Sequence, residues 1–141
     1  MTAYFPTDMP VPAIEPDTKG FWEGCKQHKL MIQRCKRCAT FRHAPVPMCH
    51  NCYSIESEYV ESEGIGEVYT FIVVQHSTHP ATQNVVPYNA AMIQLLDCGG
   101  AKIATNILGV KNEDIRIGMR VKVTFEDITQ EISLPRFLPL E

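Results

Sequence analysis

The 141 residues carry 13 Lys/Arg against 16 Asp/Glu, a net charge of −3, with 45% hydrophobic and 21% charged side chains. That balance excludes a disordered chain, and the length fits one domain or two small ones sharing an interface. No run approaches the roughly 18 apolar residues that span a bilayer, and the start Met1-Thr-Ala-Tyr-Phe-Pro lacks a basic segment followed by an apolar one, so no signal peptide is read and a cytoplasmic setting is expected.

Three segments are expected in chain order: an arm with a short helix over 1–28, a metal ribbon over 29–62 and a β-barrel over 63–141. Residues 1–16 hold Pro6, Pro10, Pro12 and Pro16. Proline fixes φ and removes a donor, so this stretch reads as an extended arm. Tyr4, Phe5, Val11 and Ile14 give it something to bury, and a partner is the expected place to bury it. Asp17 or Thr18 is positioned to cap a helix. Phe21, Trp22 and Cys25 then share one face of it, docked by the only tryptophan of the chain.

The strongest chemical signal follows. Cys35-Lys-Arg-Cys38 and Cys49-His-Asn-Cys52 are two CxxC pairs separated by ten residues. In a chain without a leader this spacing points to metal rather than to disulfides. Four thiolates at about 2.3 Å around one ion form the tetrahedral arrangement of structural Zn²⁺ sites. Iron suits the same sulfur geometry; zinc is the reading taken. With every ligand a cysteine, no position stays open for water, which argues against metal catalysis. Leu30–Arg34 reads as a strand entering the first knuckle and Ser57–Ser62 as one leaving the second, with Pro45 and Pro47 holding the loop between them extended. His43 and His50 lie near the ligands in sequence and read as surface or neighbouring residues. From Gly24 to Ile55 there is no acid but six basic residues: Lys26, Lys29, Arg34, Lys36, Arg37 and Arg42. The remaining sequence sets all 16 acids against seven basic residues, a net of −9. The basic segment offsets the charge of a four-thiolate site, or presents a surface to an anion such as a nucleic-acid or nucleotide phosphate.

From Gly64 the pattern is wholly β. Expected strands are Glu67–Val74, Tyr88–Leu96, Lys102–Leu108 after the turn Asp97-Cys-Gly-Gly, and Arg120–Glu126 with Val121, Val123 and Phe125 inward. Val110–Met119 reads as a connector with one helical turn, and Ile132–Leu134 as a last short strand before Pro135. Gly64-Ile-Gly66 lacks the third glycine of a nucleotide loop and precedes a strand, so it reads as a turn or bulge. Short strands with Gly-rich turns suit a small Greek-key OB-fold barrel, giving a mainly β protein with a rubredoxin-like zinc ribbon. Cys25, Cys98, His76 and His79 are the other reactive residue types, but none has a base or carboxylate placed beside it by sequence, and no catalytic residue is assigned.

The ordered features Phe21-Trp22-Glu23-Gly24, Leu30-Met-Ile-Gln-Arg-Cys35, Pro45-x-Pro-x-Cys49, Gly64-x-Gly66-x-Val68-Tyr69, Pro87-Tyr88, Gly118-Met119-x-Val121 and Leu134-Pro135-x-Phe137 closely resemble the zinc-ribbon plus OB-fold family once catalogued as domain of unknown function 35. The resemblance runs from about residue 17 to the C-terminus. Ala39 departs from it, because many members have glycine after the second cysteine. The resemblance implies a non-catalytic accessory subunit or fused domain of an acyl-CoA-processing enzyme, with catalytic groups supplied by a thiolase-like or aldolase-like partner in a heteromer, expected as a heterotetramer. A hot-dog-fold enoyl-CoA hydratase is the alternative partner. Acyl-CoA is then a ligand shared with that partner. Lys29, Arg34, Lys36, Arg37 and Arg136 are the residues suited to its phosphates. The competing class is a single-stranded nucleic-acid-binding module, with Tyr69, Phe71 and Tyr88 as the aromatics available for stacking. Against it stand the pI near 5.9 and the acidic remainder of the chain.

Overall fold

Phe21 and Cys25, four residues apart, define the face on which the N-terminal helix α1 (Lys19–Lys26) is buried, at 4% and 0% exposure. This computed structural model describes residues 4–140. Trp22 is only half-buried and sets its ring edge-on to Phe21 at 4.9 Å, so phenylalanine and cysteine rather than tryptophan dock the helix. Thr18 occupies the N-cap position but makes no side-chain cap; its hydroxyl faces the Glu15 carbonyl instead. Gly20 lets the helix approach the ribbon, since a Cβ there would lie 2.4 Å from the Tyr59 ring.

The ribbon is a three-stranded antiparallel sheet of order β2-β1-β3, built from β1 (Leu30–Cys35), β2 (Phe41–Arg42) and β3 (Ser57–Ser62). β1 and β3 pair along their whole length, from Leu30↔Ser62 to Cys35↔Ser57. The two residues of β2 add a strand that sequence pattern does not reveal.

The second sheet has order β6-β5-β4-β7-β8, from β4 (Ile65–Val74), β5 (Tyr88–Leu95), β6 (Lys102–Thr105), β7 (Arg120–Asp127) and β8 (Ser133–Pro139). It curls until its edges meet: Ile107 bridges Phe137 in parallel, Leu108 N–H donates to Phe137 O at 2.8 Å, and the Thr105 hydroxyl donates to Pro135 O at 3.1 Å. A parallel contact between the third and fifth strands of a Greek-key sheet is the closure expected of an OB-fold. β6 stops at Thr105, short of the expected Leu108, because the chain there crosses over to β8. β8 extends well past the expected Leu134, through two prolines. Phe137 turns its own N–H and C=O toward Asn106 and Leu108. Pro135 and Pro139 share its phase, so their missing N–H groups face away from β7 and cost the β7–β8 ladder nothing. β7 keeps Val121 fully buried, but Val123 and Phe125 are half-buried, and Glu126, in the opposite phase, is buried at 7% exposure, which breaks the in–out alternation.

One apolar core serves both sheets. Phe21, Cys25, Leu30 and Ile32 pack in the same cluster as Val68, Ile93, Leu95, Ile103, Val121 and Phe137. The expected boundary near residue 62 is crossed by packing. It is also clamped: the Asp97 carboxylate accepts from Ser62 Oγ and from Glu63 N–H, both at 2.7 Å. The N-terminal arm packs on its own chain, a correction to the partner expectation for its aromatic end. Tyr4 N–H donates to Glu126 Oε2 at 2.8 Å, Asn89 donates to Tyr4 OH, and Phe5 sits edge-on to Tyr88 at 5.0 Å. Val11 and Ile14 stay exposed.

Candidate metal centre and its surroundings

The end of β1 delivers Cys35, and a tight turn brings Cys38 back beside it: Ala39 N–H donates to Cys35 O at 3.0 Å. The second knuckle repeats this, with Tyr53 N–H donating to Cys49 O at 3.0 Å. In both, the residue after the second cysteine lies in left-handed space, Ala39 at φ 62° and Tyr53 at φ 64°. Glycine, which the resemblance implies after the second cysteine, adopts that conformation without a Cβ clash. The four sulfurs lie within 4.8 Å of one another, and the Cys35–Cys52 and Cys38–Cys49 pairs are each 3.6 Å apart. Sulfurs at about 2.3 Å from a tetrahedral ion stand about 3.8 Å from one another, so the donor set fits a zinc ion closely.

The electrostatics of the thiols also fit. Hydrogen bonds from the Thr40 hydroxyl, the Asn51 amide and the Thr40 backbone hold the Cys38 thiol down to about 5. Cys35 is lowered by the backbone N–H of Cys38. At Cys52 the Ser54 N–H pulls the same way, yet burial and the three neighbouring sulfurs push it up to about 11. Four sulfurs this close shed all their protons only around a cation. Asn51, read in the sequence only as filler of a knuckle, donates from its backbone to Cys49 Sγ at 3.4 Å and from its amide to Cys38 Sγ at 3.6 Å. Its place immediately before Cys52 is the signal that finds it.

The basic segment divides. Arg34 is tied to Glu58 across β1–β3, with Nε 2.7 Å from Oε2. Arg42 is buried and gives Nη2 to Val46 O at 3.1 Å, with Nε and Nη1 unpartnered among the described residues. Lys26, Lys29, Lys36 and Arg37 are exposed, and none of the four forms an ion pair among the described residues. Arg136 lies elsewhere, inside the barrel at 6% exposure, bonded through Nη1 to Asn106 Oδ1 at 2.6 Å and through Nη2 to Glu126 Oε1 at 3.3 Å. The five residues suited to CoA phosphates are therefore not one cluster, and Arg136 is not a surface cation.

Burial pushes the Cys25 thiol up to about 12, and burial with the Asp97 charge pushes Cys98 up to about 11. Both are protonated at neutral pH, the opposite of an activated nucleophile. His43 packs on Phe21 with ring centroids 4.8 Å apart, and burial holds it down at about 4. His50 is exposed. His79 uses Nδ1 to accept from Ala81 N–H at 3.0 Å, capping the short turn Pro80–Thr82. Tyr69 is exposed beneath Lys102, Phe71 is half-buried and Tyr88 is engaged by Phe5, so the three aromatics form no stacking row. No helix among the described residues is long and apolar enough to cross a membrane.

Residues 22–56 match the family model described as ChsH2, rubredoxin-like zinc ribbon domain, and residues 59–126 match ChsH2, C-terminal OB-fold domain. A "DUF35 domain-containing scaffold protein" of Methanocaldococcus jannaschii is 34% identical over 78% of this chain and 77% of its own length. A "Probable enoyl-CoA hydratase alpha subunit" of Thermomonospora curvata is 40% identical over 92% of this chain, and a "3-oxo-4,17-pregnadiene-20-carboxyl-CoA hydratase alpha subunit" of Mycobacterium tuberculosis 34% over 86%. The chain spans only 40% and 38% of those two subunits. Among solved structures, a chain of the "Ltp2-ChsH2(DUF35) aldolase" superposes with TM-score 0.82 at 40% identity, covering 92% of this chain and 98% of that one. A DUF35 protein of Sulfolobus solfataricus, 17% identical with TM-score 0.63, shares the fold.

Proposed function

This chain belongs to the DUF35 family of ChsH2-type zinc-ribbon and OB-fold proteins, and from that premise we propose that it is a non-catalytic accessory subunit of a heteromeric acyl-CoA-processing enzyme whose catalytic partner is a thiolase-fold aldolase or thiolase. The observation that carries the reading is the likeness, at 40% identity, over 98% of the DUF35 chain of an aldolase complex. The chemistry of the described residues supports the same division of labour. The four-sulfur centre has no open coordination position and therefore serves as a staple, and the two cysteines outside it are buried with their thiols held protonated. The zinc supplies folding energy to the knuckles. The bond-making nucleophile and base come from the partner.

Lys29, Lys36 and Arg37 are the proposed contacts to CoA phosphates, because they are exposed, free of ion pairs among the described residues, and drawn from a segment without acids. Arg34 joins them only by giving up Glu58. The proposal is tested by co-expressing the chain with a thiolase-fold subunit encoded beside it and measuring association by light scattering. A defined heteromer is expected, and a chain that elutes alone at micromolar concentration overturns the reading. A second reading, accessory subunit of an enoyl-CoA hydratase, is favoured by the 40% identity to the Thermomonospora subunit over 92% of this chain. Hydration without C–C cleavage by the purified complex would select it.

A further inference from the structure

The second knuckle carries its apolar side chains on the outside. Ile55 and Tyr53 are 75% and 73% exposed, and Met48 is 50% exposed. Cys49 N–H donates to Ser54 O at 2.9 Å, so the chain enters the knuckle at Met48 and leaves it at Ile55 from adjoining backbone positions. Tyr53 and Ile55 line one shallow depression with Arg37, Ser54 and Glu56. The support beneath is fixed. Gln33 of β1 donates to Val46 O at 3.0 Å and accepts from Val46 N–H at 2.9 Å, which pins the loop that delivers Met48. Scattered singly, exposed apolar residues are ordinary; gathered on one fixed turn and bordered by polar groups, they mark an interaction surface.

Tyr53 holds its place at a conformational cost. It stands at φ 64°, where a Cβ is disfavoured and glycine is preferred. The equivalent position of the first knuckle holds the smaller Ala39, at φ 62°. The Tyr53 ring pairs with no other aromatic ring among the described residues. Strain without a return inside the chain points to a task outside it. Tyrosine and arginine are among the side chains that dominate protein–protein contacts, and Arg37 stands at the edge of the same depression.

The charges decide the occupant. Lys36 and Arg37 fill the first knuckle, exposed and free of ion pairs among the described residues, while Glu56 is the acid that lines the depression. A second copy of the chain brings the same positive surplus and is repelled. Anionic lipid surfaces are held by clusters of roughly four to eight basic residues, more than this face offers. A protein surface with an apolar hollow bordered by carboxylates answers both features. The Arg37 guanidinium has donors on more than one edge, so it meets such a carboxylate and still lies at the rim, where a ligand shared by two subunits has to sit.

We propose that the outer face of the second knuckle, with Tyr53 and Ile55 at its centre and Arg37 at its edge, is the surface on which the catalytic subunit docks, through an apolar hollow ringed by carboxylates. The proposal rests on the reading of the chain as an accessory subunit and says where that subunit is held.

Calorimetry measures association between the zinc-loaded chain and the thiolase-fold subunit encoded beside it. Tyr53→Gly is expected to keep its zinc and to hold or raise the melting temperature, because glycine accepts φ 64°. The same chain is expected to bind the subunit about tenfold to thirtyfold more weakly, and Ile55→Ser about tenfold more weakly. Arg37→Glu is expected to slow association more at low salt than at high salt. Ile117→Ser, 70% exposed on the barrel's connector, is expected to leave binding unchanged. Tyr53→Gly and Ile55→Ser chains that bind at wild-type strength overturn the proposal and leave the accessory-subunit reading intact, as does an Ile117→Ser chain that loses as much as Tyr53→Gly. A wild-type chain that binds no such subunit overturns that reading and this proposal with it. Dimerisation of the chain alone, or adhesion to phosphatidylserine vesicles, through a contact that Tyr53→Gly removes assigns the face to another occupant and overturns the proposal.

Discussion

Between Cys35 and Tyr53 the chain makes two tight turns, each with a non-glycine residue in left-handed space, and buries almost nothing apolar besides the sulfurs themselves. From Ile65 onward the barrel buries Val68, Ile93, Leu95, Ile103, Val121 and Phe137 and closes its seam with Asn89, Asn106 and Thr105. The knuckles thus hold backbone strain against a metal, while the barrel holds its shape by burial and a buried hydrogen-bond network across its seam. Between them, β1 belongs to both: Leu30 and Ile32 lie in the barrel's core while Cys35, at the far end of the strand, is a metal ligand. A ribbon this small does not fold on its own apolar surface. Half of it borrows the barrel's core and half relies on zinc.

The comparison breaks most sharply when the metal is removed. Structural zinc contributes on the order of 10–16 kcal/mol of apparent binding free energy, which in such modules is folding free energy. Chelation, or Cys49→Ser, is therefore expected to abolish hydrogen-exchange protection at Ala39 and Tyr53 while Val68 and Ile93 in the barrel keep theirs. Protected knuckle amides in metal-free protein would show that the turns fold unaided. Next in size is the barrel seam. Phe137→Ala opens a cavity where the side chain is fully buried and is expected to cost about 3–5 kcal/mol in urea unfolding, with zinc still bound.

A smaller effect comes from His43. Burial lowers its folded value to about 4 from an unfolded value near 6.5. The unfolded chain therefore takes up the proton first as pH falls, so stability from this group is full above about 6.5 and is lost progressively toward about 4. Between pH 7 and pH 5 the loss is about 2 kcal/mol. His43→Leu is expected to flatten the pH dependence of unfolding by that amount, a difference that separates it from proton competition at the thiolates, which both proteins share. Smallest is Ala39→Gly, expected to stabilise the knuckle by about 1 kcal/mol because glycine adopts φ 62° without a Cβ clash. A fall in melting temperature on that substitution would contradict the strain assigned to the turn.

Sequence revealed most where chemistry framed geometry. The CxxC pairs bracket the ribbon, so β3 runs over the expected Ser57–Ser62, and the ligand set reads straight from spacing. Elsewhere tertiary contacts overrode local signals. Proline reads as a stop, yet β8 continues through Pro135 and Pro139 because their phase faces away from the ladder. Arg136 reads as a residue suited to a CoA phosphate, yet it is balanced inside the barrel by Glu126, and the clean polar–apolar alternation of Arg120–Glu126 leaves no trace of that pair in the sequence. Asn89 did leave a trace, a polar residue in the inward phase of β5 ahead of Ala91, Ile93 and Leu95. It bonds the Ile107 backbone through both ends of its amide, which periodicity alone does not reveal. The aromatic arm is the same lesson in reverse: Tyr4 and Phe5 needed burial, and their own barrel provides it.

The central claim, that zinc staples a docking module while a partner performs the acyl-CoA chemistry, is tested most directly by reconstitution. The isolated chain, the isolated thiolase-fold subunit and their mixture are assayed for C–C cleavage of acyl-CoA thioesters, with wild-type and Cys49→Ser chains in parallel. The account predicts no turnover by the isolated chain, turnover by the wild-type mixture, and loss of both association and turnover with Cys49→Ser. Turnover by the isolated chain, or full activity of the mixture with a metal-free ribbon, would contradict it.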